Sequence, residues 1–188
     1  MMKRVRKGFT LVELLIVIAV LGSLSGMMMQ ASSDAVDSAD AAKILSNLQS
    51  LKVAAMEMYI EEPLVAAKTS IAFNDATAVS DSDTRTIAQV LGAYLGKKAD
   101  ALAAEGAAAK YGLVGNTAHW YVVYKFDAND NAAVKAKLAA KAKEADLFGG
   151  SATTVAGIEG TDEAPADYYT DTVAEGSTAA VCVALKVR

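Results

Sequence analysis

Only one cysteine, one histidine and two prolines occur in 188 residues, and each scarcity removes a class of structure. A lone thiol closes no disulfide within the chain. Cys182, in the apolar run Val181-Cys182-Val183-Ala184-Leu185, therefore reads as a small core residue, with pairing between subunits as its other use. One histidine beside one cysteine does not furnish a zinc site of the usual His/Cys kind. Two prolines against 53% hydrophobic residues speak for a folded chain of one modest domain with appendages. Positive charge is missing over a long stretch, because no Lys or Arg follows Lys7 until Lys43. Lys3, Arg4, Arg6 and Lys7 all fall in the first eight positions of a chain of formal net charge -4. Without those four cations the remainder carries about -8, which offers no bulk attraction to nucleic acid.

What is present is concentrated at the N-terminus. The chain begins MMKRVRKG and continues FTLVELLIVIAVLGSLSGMMM: a basic run, a glycine, then roughly twenty mostly apolar residues, enough to cross a bilayer as a helix at about 1.5 Å per residue. The charge flank places the basic residues in the cytoplasm and the C-terminal part outside. A secretory signal cut near Gly22-Ser23-Leu24-Ser25-Gly26 competes with this reading, but it explains neither the basic-Gly-Phe junction nor Glu13. A carboxylate in such a helix calls for a partner, since a charged side chain at the membrane centre costs about 2.5–3.5 kcal/mol. Cutting between Gly8 and Phe9 supplies one: Phe9 then carries a free ammonium one turn from Glu13, and the helix N-terminus favours the carboxylate. Left uncut, Glu13 would snorkel to the cytoplasmic interface of a single-span protein.

Lys7-Gly8-Phe9-Thr10-Leu11-Val12-Glu13-Leu14-Leu15-Ile16-Val17-Ile18 resembles the processing and assembly signature of type IV prepilins and type II secretion pseudopilins. The resemblance implies that residues 1–8 are a leader removed by a membrane-embedded prepilin peptidase, which then methylates the amine of Phe9. It also implies that Glu13 of an incoming subunit neutralises the Phe9 amine of a neighbour in the filament. Two such charges attract strongly at low dielectric, and either one left unpaired there is costly. Self-assembly into a helical homopolymer, an assembly platform protein and a cytoplasmic ATPase are the further partners implied; no cofactor is. The expected location is the bacterial inner membrane before assembly and an extracellular pilus after it.

Beyond the apolar segment, residues 30–62 contain no proline or glycine. Ile44, Leu48, Leu51, Ala55 and Met58 recur at steps of four and three, one face of a helix, and Pro63 reads as its stop. The expected organisation is a transmembrane and filament-core helix over 9–30, its amphipathic continuation over 31–62, and a globular head over 63–188. Gly22 and Gly26 weaken the helix by about 1 kcal/mol each relative to alanine, a place for local unwinding on assembly. Many type IV pilins carry a proline near the end of the apolar segment; this chain has none near Gln30, a departure toward the pseudopilin branch. In the head, Asp81-Ser82-Asp83-Thr84 reads as the cap of a short helix through about Leu95, and an alanine-rich helix is expected near Lys98–Lys110. His119–Phe126 and Ala180–Val187 read as strands, and residues 131–147 as a helix stopped by Gly149-Gly150. A third strand is placed near Tyr168–Val173 or Thr153–Ile158. The fold class is α+β, pilin-like: a long N-terminal helix on a small antiparallel sheet with extra helices.

Most polar features of the head have plain readings. Asp127, Asn129 and Asn131 alternate like the opening of a calcium loop, but Ala132 stands where that loop wants glycine and no closing glutamate follows. The alternative is that Asp130 or Asn129 caps the next helix. The acidic run Glu159, Asp162, Glu163, Asp167, Asp171 and Glu175 reads as a solvated loop before it reads as a calcium site. Met27-Met28-Met29 reads as packing, Trp120 and Tyr121 as sheet core or rim. His119 has no recognisable nucleophile and orienting carboxylate around it, so no enzyme site is read. The leading function is a structural subunit, a major pilin serving adhesion, twitching, DNA capture or secretion. The alternatives are a type II secretion pseudopilin and a non-polymerising membrane-tethered binding module.

Overall fold

The computed structural model describes residues 9–72, 76–96, 110–127, 130–150, 168–169 and 182–188. Helix α1 spans Leu11–Glu61, about 75 Å at about 1.5 Å per residue. It ends where the C-cap Glu62 meets Pro63, which opens the short α2, Pro63–Ala66. Proline lacks the N–H that would extend α1 but suits the first turn of a new helix. After β1 (Ser70–Ile71), a hairpin of β2 (Ala78–Ser80) and β3 (Asp83–Thr86) leads into α3, Ile87–Leu95. Then follow β4 (Tyr111–Asn116), β5 (Trp120–Lys125), α4 (Ala132–Lys141), β6 (Leu147–Gly150) and β7 (Cys182–Lys186). The main sheet is antiparallel throughout, in the order β1-β4-β5-β7-β6. The architecture is α+β and pilin-like: one long helix packed on a small antiparallel sheet, with further helices beside it.

Alternation along the central strands divides the sheet into two buried faces. Leu113, Val122, Tyr124, Val183 and Leu185 join the α1 residues Ile44, Leu48, Leu51, Ala55 and Met58 in the main core. Burial of each large apolar side chain there stabilises by about 1.5–3 kcal/mol. All five positions of the helical stripe read from the sequence are buried, together with Asp37, Ala41 and Ala54. The opposite face holds Val114, Tyr121, Val123, Cys182 and Ala184, all buried. Cys182 thus has the core environment read for it, its Sγ donating to the Gly150 carbonyl at 3.4 Å. Arg85 ties the hairpin to the end of α1, reaching Asp83 at 2.7 Å and Glu62 at 3.2 Å.

Several local readings of the head are corrected. Asp83 and Thr84 lie in β3, and α3 is capped instead by Thr86, whose hydroxyl accepts from Gln89 N at 3.2 Å while the Gln89 amide accepts from Thr86 N at 2.9 Å. Gly149-Gly150 does not stop a helix; it lies in β6. The chain leaves α4 through turns that end at Asp146, which takes the left-handed conformation (φ 51°) that a glycine was expected to supply. β4 was not anticipated. The expected helix at Lys98–Lys110, apart from Lys110, and the candidate strand at Thr153–Ile158 lie outside the described residues. Of Tyr168–Val173, Tyr168 makes one bridge to Phe148, and the part beyond Tyr169 also lies outside.

Candidate functional site

The segment with the strongest motif is the start of α1. Thr10 holds an extended conformation (φ -78°, ψ 149°) and caps the helix. Its hydroxyl accepts from Glu13 N at 3.3 Å, and Glu13 Oε2 accepts from the Thr10 backbone N–H at 2.9 Å and from its hydroxyl at 2.7 Å. This is a reciprocal capping box, two donors of the first turn satisfied by two side chains. Sequence reasoning passed over Thr10, although Thr10-Leu11-Val12-Glu13 carries the T-x-x-E signal for it. Both bonds to the carboxylate fall on Oε2, and among the described residues Oε1 accepts none. Phe9 stands at the tip, 85% exposed; Gly8 lies outside the described residues.

From Phe9 to Ser33 the one ionisable side chain is Glu13. Every residue from Phe9 to Val36 is exposed, although the most apolar window of α1 has a mean hydropathy of 2.2. Such a surface is apolar all round, the composition of a helix meant for lipid or for other helices. Its polar interruptions are settled locally. Ser23 donates to the Val20 carbonyl at 2.9 Å and Ser25 to the Leu21 carbonyl at 2.8 Å. Helix α1 passes unbroken through Gly22 and Gly26, and a Cβ at either would have no neighbour within 4 Å. The glycines are notches that let another backbone approach closely. Met27, Met28 and Met29 are exposed on the same segment.

The other candidate residues have local roles. Asn131 caps α4 by accepting from Ala133 N at 2.9 Å, a task assigned to Asp130 or Asn129 from sequence, and its Nδ2 donates to the buried Asp37 at 2.7 Å. Asp127 pairs with Lys110 at 3.3 Å, and Asp130 does so at 2.5 Å. Asp130 accepts a further bond from Asp127 N at 2.7 Å. The bond to Asp130 holds the Lys110 ammonium above the usual lysine range. Asn129 lies outside the described residues, as does the acidic run from Glu159 to Glu175. Among the described residues, no group of three or more His, Cys, Asp or Glu is placed to hold a metal ion. His119 sits in the β4–β5 turn, its N–H donating to Asn116 Oδ1 at 2.7 Å. Trp120 and Tyr121 are buried on opposite faces of the sheet.

Comparison with known families finds the prokaryotic N-terminal methylation motif at residues 3–29, the stretch that holds Gly8, Phe9, Thr10 and Glu13. Neither curated proteins nor solved structures give a match. The motif is a mark of structural subunits and implies processing by a prepilin peptidase; with the long apolar helix it fits anchoring in an inner membrane.

Proposed function

We propose, from a chain that carries the prepilin signal shared by type IV pilins and pseudopilins, that the form beginning at N-methylated Phe9 is the major subunit of a type IV pilus. The observation that carries the proposal is the N-terminal stretch of α1 up to Ser33: exposed on every side, largely apolar, and holding Glu13 as its single charge. A free monomer in water would not keep such a surface uncovered. Before assembly the lipid covers it, and in the filament the same half-helix of neighbouring copies does. Glu13 Oε2 is engaged by Thr10 in its own chain, so Oε1 is the oxygen left for the Phe9 ammonium of a neighbour. A repeated contact of this head-to-tail kind does not close, and it grows a fibre.

Replacing Gly8 by a bulky residue should leave an uncut, membrane-held precursor, and the peptidase, platform and ATPase are separate proteins. The test is mass spectrometry of material sheared from intact cells. A first peptide starting at N-methyl-Phe9 is the expected result, and Glu13→Ala should remove the protein from the sheared fraction while the processed form stays in the membrane. A leader still attached in the sheared material overturns the account. Processed protein confined to the membrane fraction would instead favour a type II secretion pseudopilin, the reading toward which the lack of proline near Gln30 points.

A further inference from the structure

We propose that the cleft between α1 and the β4–β5–α4 side of the head binds a neutral polyhydroxylated ligand, one sugar residue of a glycan. The cleft has a volume of about 350 Å³, at the lower end of the roughly 300–1,000 Å³ usual for small-ligand sites. One wall is the polar edge of α1, where Asp40, Lys43 and Asn47 project from successive turns. Facing it are Lys110, Tyr111 and Asp130, and between them Ile44, Phe126 and Val134 form an apolar floor beside the Tyr124 ring.

The two walls differ in how far their polar groups are already used. Lys110 is held by Asp127 and Asp130, and the Tyr111 hydroxyl accepts from Asn47 Nδ2 at 3.0 Å, which ties the walls together at one end. Asp40 and Lys43 are exposed and, among the described residues, neither has a hydrogen bond or ion pair. The cleft therefore presents a free acceptor and a free donor one helical turn apart, with the Asn47 amide oxygen and the Tyr111 hydroxyl hydrogen next to them.

Charge decides what fits. An anion would meet Asp40 and Asp130, and a cation would meet Lys43 and Lys110, so a ligand without net charge suits the cleft best. Neighbouring hydroxyls can donate to Asp40 and accept from Lys43 at the same time. A pyranose also has a C–H face to turn toward the apolar floor at Ile44 and Val134, so one ring satisfies both the polar edge and the floor. A zwitterion such as a peptide end would match the two charges, but both are exposed, where ion pairing contributes little.

The inference does not depend on the filament reading and is tested on the full chain in a detergent without a sugar headgroup. The protein is applied to a printed array of bacterial, plant and animal glycans. The terminal monosaccharide of the strongest hits is then titrated by saturation-transfer NMR. The expected result is a set of hits sharing one terminal sugar, with binding at least about tenfold weaker in Asp40→Ala and in Lys43→Ala at unchanged thermal unfolding. Both residues are exposed, so neither variant threatens the fold. No hit on the array, hits that survive both substitutions, or displacement of the sugar signal by glycylglycine would each overturn the proposal.

Discussion

Helix α1 keeps one backbone geometry from Leu11 to Glu61, yet its two halves differ in what covers them. Up to Val36 every side chain faces outward, whereas from Asp37 to Met58 eight are buried against the head. The second half separates apolar from polar positions by the helical period, and its stripe is matched by the sheet. The first half has no such separation, so no single neighbour on one side can cover it. Backbone hydrogen bonding is satisfied within the helix in both halves. What differs is apolar surface, and that surface is why one half belongs to a folded domain while the other fits a membrane.

The comparison is broken most directly in the buried half. Leu51→Ala should lower the unfolding free energy of the head by about 2–5 kcal/mol, read by denaturant titration. Next is Gly115→Val, because a Cβ at this position would lie 2.6 Å from the Trp120 ring; the overpacking should cost about 1–3 kcal/mol. Asn131→Ala removes both the α4 cap and the partner of Asp37, for about 1–2 kcal/mol in the same assay.

A pH series sharpens the contrast further. Burial pushes the Tyr111 and Tyr124 hydroxyls up, and the bond to Asp130 pushes Lys110 up. Each group holds its proton more tightly folded than unfolded. The stability it contributes is complete below the unfolded value of about 10 and is lost as pH rises beyond it. Tyrosinate absorbance should therefore lag behind that of free tyrosine and then rise together with unfolding. Burial likewise pushes the Cys182 thiol up to about 11, so alkylation should wait for the same transition. The smallest effect is expected in the first half: Ile18→Ala should change the head's unfolding by less than about 0.5 kcal/mol.

The same division governs what was legible. The α1 stripe, β5 and β7 were readable because periodicity or a run of β-branched and aromatic residues marks them without outside help. β4 was missed because Gly112, Gly115 and Asn116 dilute its pattern, and Gly115 is small for a tertiary reason, the Trp120 ring across the ladder. β3 reads Asp-Thr-Arg-Thr with no apolar alternation, and its pairing comes from the hairpin and from Arg85. Gly149-Gly150 looked like a stop because two glycines punctuate most chains; Tyr169, whose backbone lies 3.2 Å from where a Gly149 Cβ would be, explains a small residue there instead. At the candidate site Gly8, Phe9 and Glu13 stood out because a charge in an apolar helix is conspicuous. Thr10 was conspicuous only by its spacing to Glu13.

The chain's one tryptophan sits where sheet, helix and chain end converge. Tyr59 on α1 and Trp120 meet in a T-shaped contact with ring centroids 5.0 Å apart, the Trp120 backbone N–H donates to the Arg188 carbonyl at 3.3 Å, and the Arg188 guanidinium lies 4.5 Å over Tyr59. Its fluorescence is thus an intrinsic gauge of docking. Bending or solvating the first half of α1 leaves the emission colour alone, whereas lifting the sheet from α1 wets the indole and moves it to the red. Light from a single residue then tells a bent α1 from a head that has come away.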